Sequence, residues 1–320
     1  MGASKIAFIF PGQGAQFVGR GKEFYDKYDV ARRLFREADE ALGYSISDMC
    51  FEGPDDKLVL TANTQPAILT VSVIAAEVLR ENGIEPEIAG GHSLGEYSAL
   101  VEAGAIDFAD AVMLVHKRGS FMQDAVPVGE GAMAAVLGLE RSQIVEICES
   151  TSKKSKNNRL LVEAVNFNCP GQTVIAGTTE GVKLAVDALS AAGAKKAVML
   201  PVSAPFHSAL MAPAAERLAA EMEKITIRDA RIPVAANYTG ELEQDAATIK
   251  SNLISQADHA VKWEDCVAAM AHGGATHFVE AGPGKTLTGF NRRIDRSLIN
   301  MNVSDIATLQ KTLDTLKGVS

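Results

Sequence analysis

Cysteine is scarce and scattered: Cys50, Cys148, Cys169 and Cys266 stand far apart in 320 residues, with no CxxC pair. That spacing argues against a zinc site or a disulfide framework and fits a reducing compartment. Basic residues are also short. Against 40 Asp and Glu there are 31 Lys and Arg, a net charge of -9, so no broad positive surface exists to neutralise nucleic-acid phosphates. A local basic patch stays open. No run approaches transmembrane length. The early apolar stretch KIAFIF is too short for a signal peptide, and Ile6 breaks the myristoylation pattern. A cytoplasmic protein without membrane contact is the expectation. Internal repeats are missing, and two glycine-rich stretches fail as nucleotide loops. EAGPGKT has Val279 where a P-loop needs its first glycine, and PGQGAQF has Phe17 where GxGxxG needs its third.

Hydrophobic residues at 47% and charged residues at 22% are an ordinary globular balance. The length suits one large domain or two smaller ones. KIAFIF reads as a buried strand, followed by helices around 21–42 and 64–82, and later by a helix over DFADAVMLVHKRGSFMQDAV. Strands and helices in alternation predict a parallel sheet flanked by helices. Residues 130–202 read instead as strand, helix, two strands around a Pro-Gly turn, helix and strand, the ferredoxin-like order. Within them STSKKSKNNR reads as a flexible surface loop. From 207 onward a helix over SALMAPAAERLAAEMEKI, a strand over IPVAANY, a helix over WEDCVAAMAHGG and a strand over HFVEAG signal that the large domain resumes. The expected organisation is α/β: residues 1–129 and 203–320 form the large domain, and 130–202 an inserted subdomain.

GGHSLGEYSAL, residues 90–100, sets Ser93 between Gly91 and Gly95. Alone, Gly-x-Ser-x-Gly is a weak pattern. Here PEIAGG before it reads as a strand entering a turn, and Leu94, Tyr97, Leu100 and Val101 after it have helical spacing. Strand, tight turn and helix are the setting of a nucleophile elbow, with the Leu94 amide pointing at any anion formed beside Ser93. A serine nucleophile needs a base, and six histidines are available. His92 abuts Ser93 and is expected to turn away into packing. His116 falls in a helix, while His259, His272 and His277 read as solvated. His207, in PVSAPFHSALM, follows a strand and a proline turn and comes after the serine, as in α/β-hydrolase chain order. A buried structural histidine is the competing reading for it.

Taken together, FPGQGAQ, TQPA at 64–67, GHSLGE, APFHSALM and EAGPGKTLTG, with VNFNCPGQTVIAG between them, resemble the malonyl-CoA:acyl carrier protein transacylase family. They are equally similar to the acyltransferase domains of fatty acid and polyketide synthases. The resemblance spans nearly the whole chain in order. It implies an α/β-hydrolase-like large domain with a ferredoxin-like subdomain, no metal or cofactor, and malonyl-CoA and acyl carrier protein as partners. Ser93 is implied to attack the thioester with His207 as base, and the amides of Gln13 and Leu94 to hold the oxyanion. The Gln256 backbone carbonyl is implied to orient the histidine. Arg118, on its own a surface arginine near a helix end, is implied to clamp the malonyl carboxylate with its planar fork. Phe206 occupies the position linked to choosing malonyl over methylmalonyl. Asn166 and Asn168 either contact the thioester arm or hydrogen-bond the turn. Lys195, Lys196, Arg292 and Arg293 are implied to face an acidic carrier protein from either side of the cleft mouth. The rival readings are a thioesterase that ends on water, a loading enzyme for polyketide synthesis, and a docking module without activity.

Overall fold

The expected first strand, KIAFIF, sits in the middle of a six-stranded sheet, where its four last residues are fully buried. The computed structural model describes residues 5–15, 18–155, 159–202 and 204–317. Gln16 of the FPGQGAQ stretch, Ser203, the first four residues and part of the STSKKSKNNR loop lie outside them. In chain order the elements begin with β1 (Lys5–Phe10), α1 (Lys22–Lys27), α2 (Asp29–Leu42), α3 (Ile46–Glu52), α4 (Asp55–Leu58) and α5 (Thr61–Glu81). Then come β2 (Ile88–Gly91), α6 (Leu94–Glu102), α7 (Phe108–Asp124), β3 (Gly131–Leu137), α8 (Arg141–Ser152), β4 (Val162–Cys169), β5 (Gln172–Thr178), α9 (Thr179–Ala191) and β6 (Lys196–Met199). After them follow α10 (Ala212–Met222), β7 (Val234–Ala235), β8 (Leu242–Glu243), α11 (Ala246–Gln256), α12 (Trp263–His272), β9 (Ala275–Ala281), α13 (Thr286–Ile294), β10 (Ile299–Val303) and α14 (Ile306–Leu316).

The fold is α/β. Its large sheet runs β10-β9-β1-β2-β7-β8, parallel throughout except for β8. The register matches Phe10 with Gly91, so β1 and β2 end side by side and release their loops at the same edge. Ligands of parallel sheets gather at that carboxyl edge. A second, antiparallel sheet runs β4-β5-β3-β6 with α8 and α9 packed on it. Its elements follow the βαββαβ succession read from the sequence. Helix α5 is apolar on nearly every side and lies in the main core; by length and composition it could cross a membrane, but 83% of that window is buried inside the protein. The four cysteines are buried and free.

Several boundaries differ from the sequence reading, for local reasons. The helix expected over 21–42 is two helices, because Tyr28 is extended at the junction. The loop expected from residue 150 onward starts later, since Thr151 and Ser152 complete α8. The seven-residue strand expected over IPVAANY pairs only at Val234 and Ala235, as the chain then leaves the sheet toward Ser93. AKKAVMLPVS pairs only over Lys196–Met199. Helices α3, α4, α11, α13 and α14 and strands β8 and β10 have no counterpart among the sequence expectations.

Candidate active site

Ser93 lies between β2 and α6 with φ 52° and ψ −106°, a strained backbone for a residue with a side chain. The flanking glycines are there for clearance. A Cβ on Gly91 would fall 2.0 Å from the Gly95 carbonyl, and one on Gly95 would fall 2.0 Å from the Phe10 carbonyl oxygen. Either substitution drives atoms into backbone, so the turn is accessible only to this glycine pair. The chain leaving β7 braces it. Asn237 accepts from the Ser93 amide at 2.6 Å and donates to the Gly91 carbonyl at 2.7 Å.

His207 follows Pro205 at the turn into α10 and also has positive φ, 64°. Its Nε2 is 2.7 Å from Ser93 Oγ, and its Nδ1 is 2.8 Å from the Gln256 backbone oxygen. A carbonyl only accepts, so Nδ1 holds the proton and the Nε2 lone pair faces the serine hydroxyl. Burial, and then the charge of Arg118, push the His207 pKa down to about 3. The imidazole is therefore neutral at neutral pH and free to take a proton.

Arg118 is not on the surface. It is 2% exposed, in the middle of α7. Its Nη2 donates to Ser93 Oγ at 3.1 Å and to Gln256 Oε1 at 2.9 Å, while Nη1 donates to Gln65 Oε1 at 2.9 Å. Its Nε has no partner among the described residues. The guanidinium also lies beside Tyr97, 5.4 Å from its ring centroid. The guanidinium opens on a cleft of ≈ 510 Å³ that also touches Ser93, His207, Phe206, Gln13 and Asn166. Met133 and Val174 of the antiparallel sheet line the same cleft, so it lies between the two sheets. A larger cavity, ≈ 590 Å³ beside Arg20 and Lys285, contains none of these groups.

A serine hydroxyl bonded to a neutral histidine, with a buried cation beside it, suits transfer of an acidic acyl group. Comparison with known proteins agrees. The acyl transferase domain profile matches residues 7–317. The malonyl CoA-acyl carrier protein transacylase of Bacillus subtilis (strain 168) is 47% identical over 314 residues, 98% of either chain. The chain belongs to this family. The Escherichia coli (strain K12) transacylase is 45% identical over 97% of this chain and 99% of its own. Among solved structures, the acyl carrier protein S-malonyltransferase of Vibrio cholerae superposes with a TM-score of 0.93 at 44% identity, covering 97% of this chain and 100% of that one. A malonyl-transacylase in complex with its type II polyketide synthase acyl carrier protein also has a TM-score of 0.93, at 42% identity over 98% of this chain and 100% of that one.

In this member of the family Gln13, in the loop after β1, lines the cleft, while Leu94 opens α6, where the Gly95 and Glu96 amides bond back to the His92 and Ser93 carbonyls. Asn166 and Asn168, both on β4, border a second lobe of ≈ 220 Å³ that shares Gln13 and His92 with the main cleft. Asn166 Oδ1 is buried without a partner among the described residues, and Asn168 Oδ1 bonds His92 Nε2 at 2.9 Å. His92 turns onto buried Trp263, with ring centroids 5.9 Å apart, as the packing expectation has it, and it also lines the cleft. His277 is buried in β9, not solvated, because its strand is internal to the sheet. Lys195, Lys196, Arg292 and Arg293 are all exposed. Arg293 is tied to Pro170 O and Gln172 Oε1 at the β4–β5 turn, and the Lys195 stem packs on neighbouring Gly138. Arg293 and the Lys195 stem therefore both lie near the β4–β5 turn. The sequence reading assigned no function to Glu96, Gln65 or Asn237. Their only signal was Gln65 in TQPA and Glu96 in GHSLGE.

Proposed function

We propose that the protein transfers a malonyl group from coenzyme A to the phosphopantetheine thiol of an acyl carrier protein, supplying fatty acid synthesis in the cytoplasm. The observation that carries this reading is Arg118: a buried guanidinium 3.1 Å from Ser93 Oγ, lining the same cleft as the serine. A fixed cation at that distance favours a short acyl chain ending in a carboxylate and disfavours neutral chains.

Ser93 Oγ attacks the thioester carbonyl as His207 Nε2 takes the hydroxyl proton. The amides of Gln13 and Leu94 hold the oxyanion, and the Gln256 carbonyl steadies the imidazolium. Collapse breaks the C–S bond, and His207 returns the proton to the departing thiolate. The carrier thiol then gives its proton to His207, attacks the malonyl-Ser93 ester and releases the serine, which regains the proton. The steps balance without an electron acceptor. A carbonyl in place of a buried Asp suits a thiolate leaving group, which needs less help than an amine. The pantetheine arm extends along the second lobe, where the unpaired Asn166 oxygen can accept from one of its amides. Residues 130–202 act as the inserted unit that covers the cleft, with residues 1–129 and 203–320 as the catalytic domain.

Phe206 packs with Met133, Val174, Leu200 and Val202 on the cleft wall next to His207. An α-methyl group on the substrate meets this ring. Phe206→Ser is expected to narrow the preference for malonyl- over methylmalonyl-CoA by about 1–3 kcal/mol, the scale of one methyl group. An unchanged ratio of kcat/KM makes Phe206 a packing residue only.

Carrier docking rests on the exposed charges of Lys195, Lys196 and Arg292, with Arg293 partly committed to the β4–β5 turn. Reversing Lys195 and Lys196 to Glu is expected to lower kcat/KM for carrier protein about tenfold at low salt and to flatten its salt dependence. Loading from malonyl-CoA should change less. If neither changes, the carrier docks elsewhere. The overall reading is tested by incubating the protein with malonyl-CoA, with and without carrier protein. A transferase makes malonyl-carrier, a thioesterase makes free malonate, and a docking module makes neither.

A further inference from the structure

Among the described residues no carboxylate bonds Ser93 Oγ or His207, yet one stands immediately behind them. Glu96, three residues after Ser93 on α6, is fully buried. Its Oε2 accepts from Gln256 Nε2 at 2.7 Å and from the Asn237 backbone amide at 3.0 Å. Both partners also bond the elbow and its catalytic groups. Gln256 takes His207 Nδ1 on its backbone oxygen and Arg118 Nη2 on Oε1, and its amide also reaches the Ser93 carbonyl at 2.9 Å. Asn237 takes the Ser93 amide and donates to Gly91. We propose that Glu96 is a positioning residue for acyl transfer: by holding Gln256 and Asn237 it fixes His207, Arg118 and the Ser93 backbone together.

The chemistry of each group makes the arrangement one-way. Arg118 only donates, so it requires the Gln256 oxygen; Glu96 Oε2 only accepts, so it requires the Gln256 nitrogen. A flipped Gln256 amide sets nitrogen against guanidinium and oxygen against carboxylate at once. Glu96 therefore locks a side chain whose two ends differ only in polarity. Its hold is acceptance of hydrogen bonds rather than charge. Burial, with Glu243 nearby, pushes the Glu96 carboxyl up to about 8, while the Gln256 and Asn237 bonds and Arg118 favour its ionised form. Oε1 has no partner among the described residues and can bear a proton without disturbing Oε2. In either protonation state the two bonds persist.

This inference rests on the transferase reading, and its test separates the two. Malonyl and acetyl transfer to carrier protein are measured for the parent chain, Glu96→Gln and Glu96→Leu, with unfolding midpoints alongside. Glu96→Leu is expected to lose kcat by about tenfold to a hundredfold for both acyl groups, part of what a well-placed general base supplies. Glu96→Gln keeps an acceptor oxygen and is expected to stay within about threefold of the parent, a rescue that mere filling of the core does not produce. If Glu96→Leu does not fold, Glu96→Asp takes its place, since it draws the oxygens back by about one C–C bond, ~1.5 Å, and is expected to lose about tenfold. A folded Glu96→Leu (or, in its place, Glu96→Asp) with parental kcat overturns the proposal. So does Glu96→Gln falling as far as Glu96→Leu, which makes charge the property that matters. A parent chain that transfers no malonyl defeats the transferase reading instead.

Discussion

Ser93→Ala is expected to take up no malonyl group from malonyl-CoA while still unfolding cooperatively. Removal of Oγ deletes the atom that forms the ester, and no other hydroxyl shares His207 Nε2 within hydrogen-bond reach among the described residues. Loss of a serine nucleophile typically costs roughly 10⁶-fold in kcat, so transfer should fall below detection. The fold should tolerate the change, because the elbow is set by Gly91, Gly95 and Asn237 rather than by the hydroxyl. Intact mass after incubation with malonyl-CoA checks it. An adduct persisting in the variant places the nucleophile at another residue.

Arg118→Ala is expected to separate malonyl from acetyl substrates. With the guanidinium gone, the malonyl carboxylate enters a buried cleft without its partner, a loss of about 2–5 kcal/mol for a desolvated charge pair. Acetyl-CoA brings no carboxylate and avoids that loss. It should still slow modestly, since Arg118 also bonds Ser93 Oγ and Gln256. The readout is the ratio of kcat/KM for the two substrates, which should fall by at least tenfold. Equal losses remove Arg118 from substrate recognition and leave it as a brace for the serine.

What the sequence made legible was mostly local. The elbow could be read because its glycines, strand and helix are contiguous, and the clearances at Gly91 and Gly95 explain why the pattern takes that form. The βαββαβ succession could be read because each element carries its own periodicity. The shortness of β7 could not, because its chain leaves the sheet where Asn237 turns toward Ser93, a residue 144 positions away. The burial of Arg118 was equally hidden: its helix has apolar neighbours on several sides, and only packing decides which side faces the cleft. Asn237 carries no sequence signal and Glu96 only its place in GHSLGE, since both act through bonds to backbone groups and to one glutamine that the fold alone brings near. The doublets Lys195–Lys196 and Arg292–Arg293 are visible as charge, but the ties of Arg293 to the β4–β5 turn depend on how α13 meets that hairpin.

The central claim is that Ser93 holds a malonyl ester which a carrier thiol, rather than water, resolves. It is tested most directly by isolating the protein after brief exposure to malonyl-CoA, confirming the adduct on the Ser93 peptide, and then adding carrier protein or buffer alone. The account predicts an adduct that persists in buffer and passes to the carrier phosphopantetheine within the time of catalytic turnover. An adduct that decays to free malonate equally fast with and without carrier, or that resides on another peptide, contradicts it.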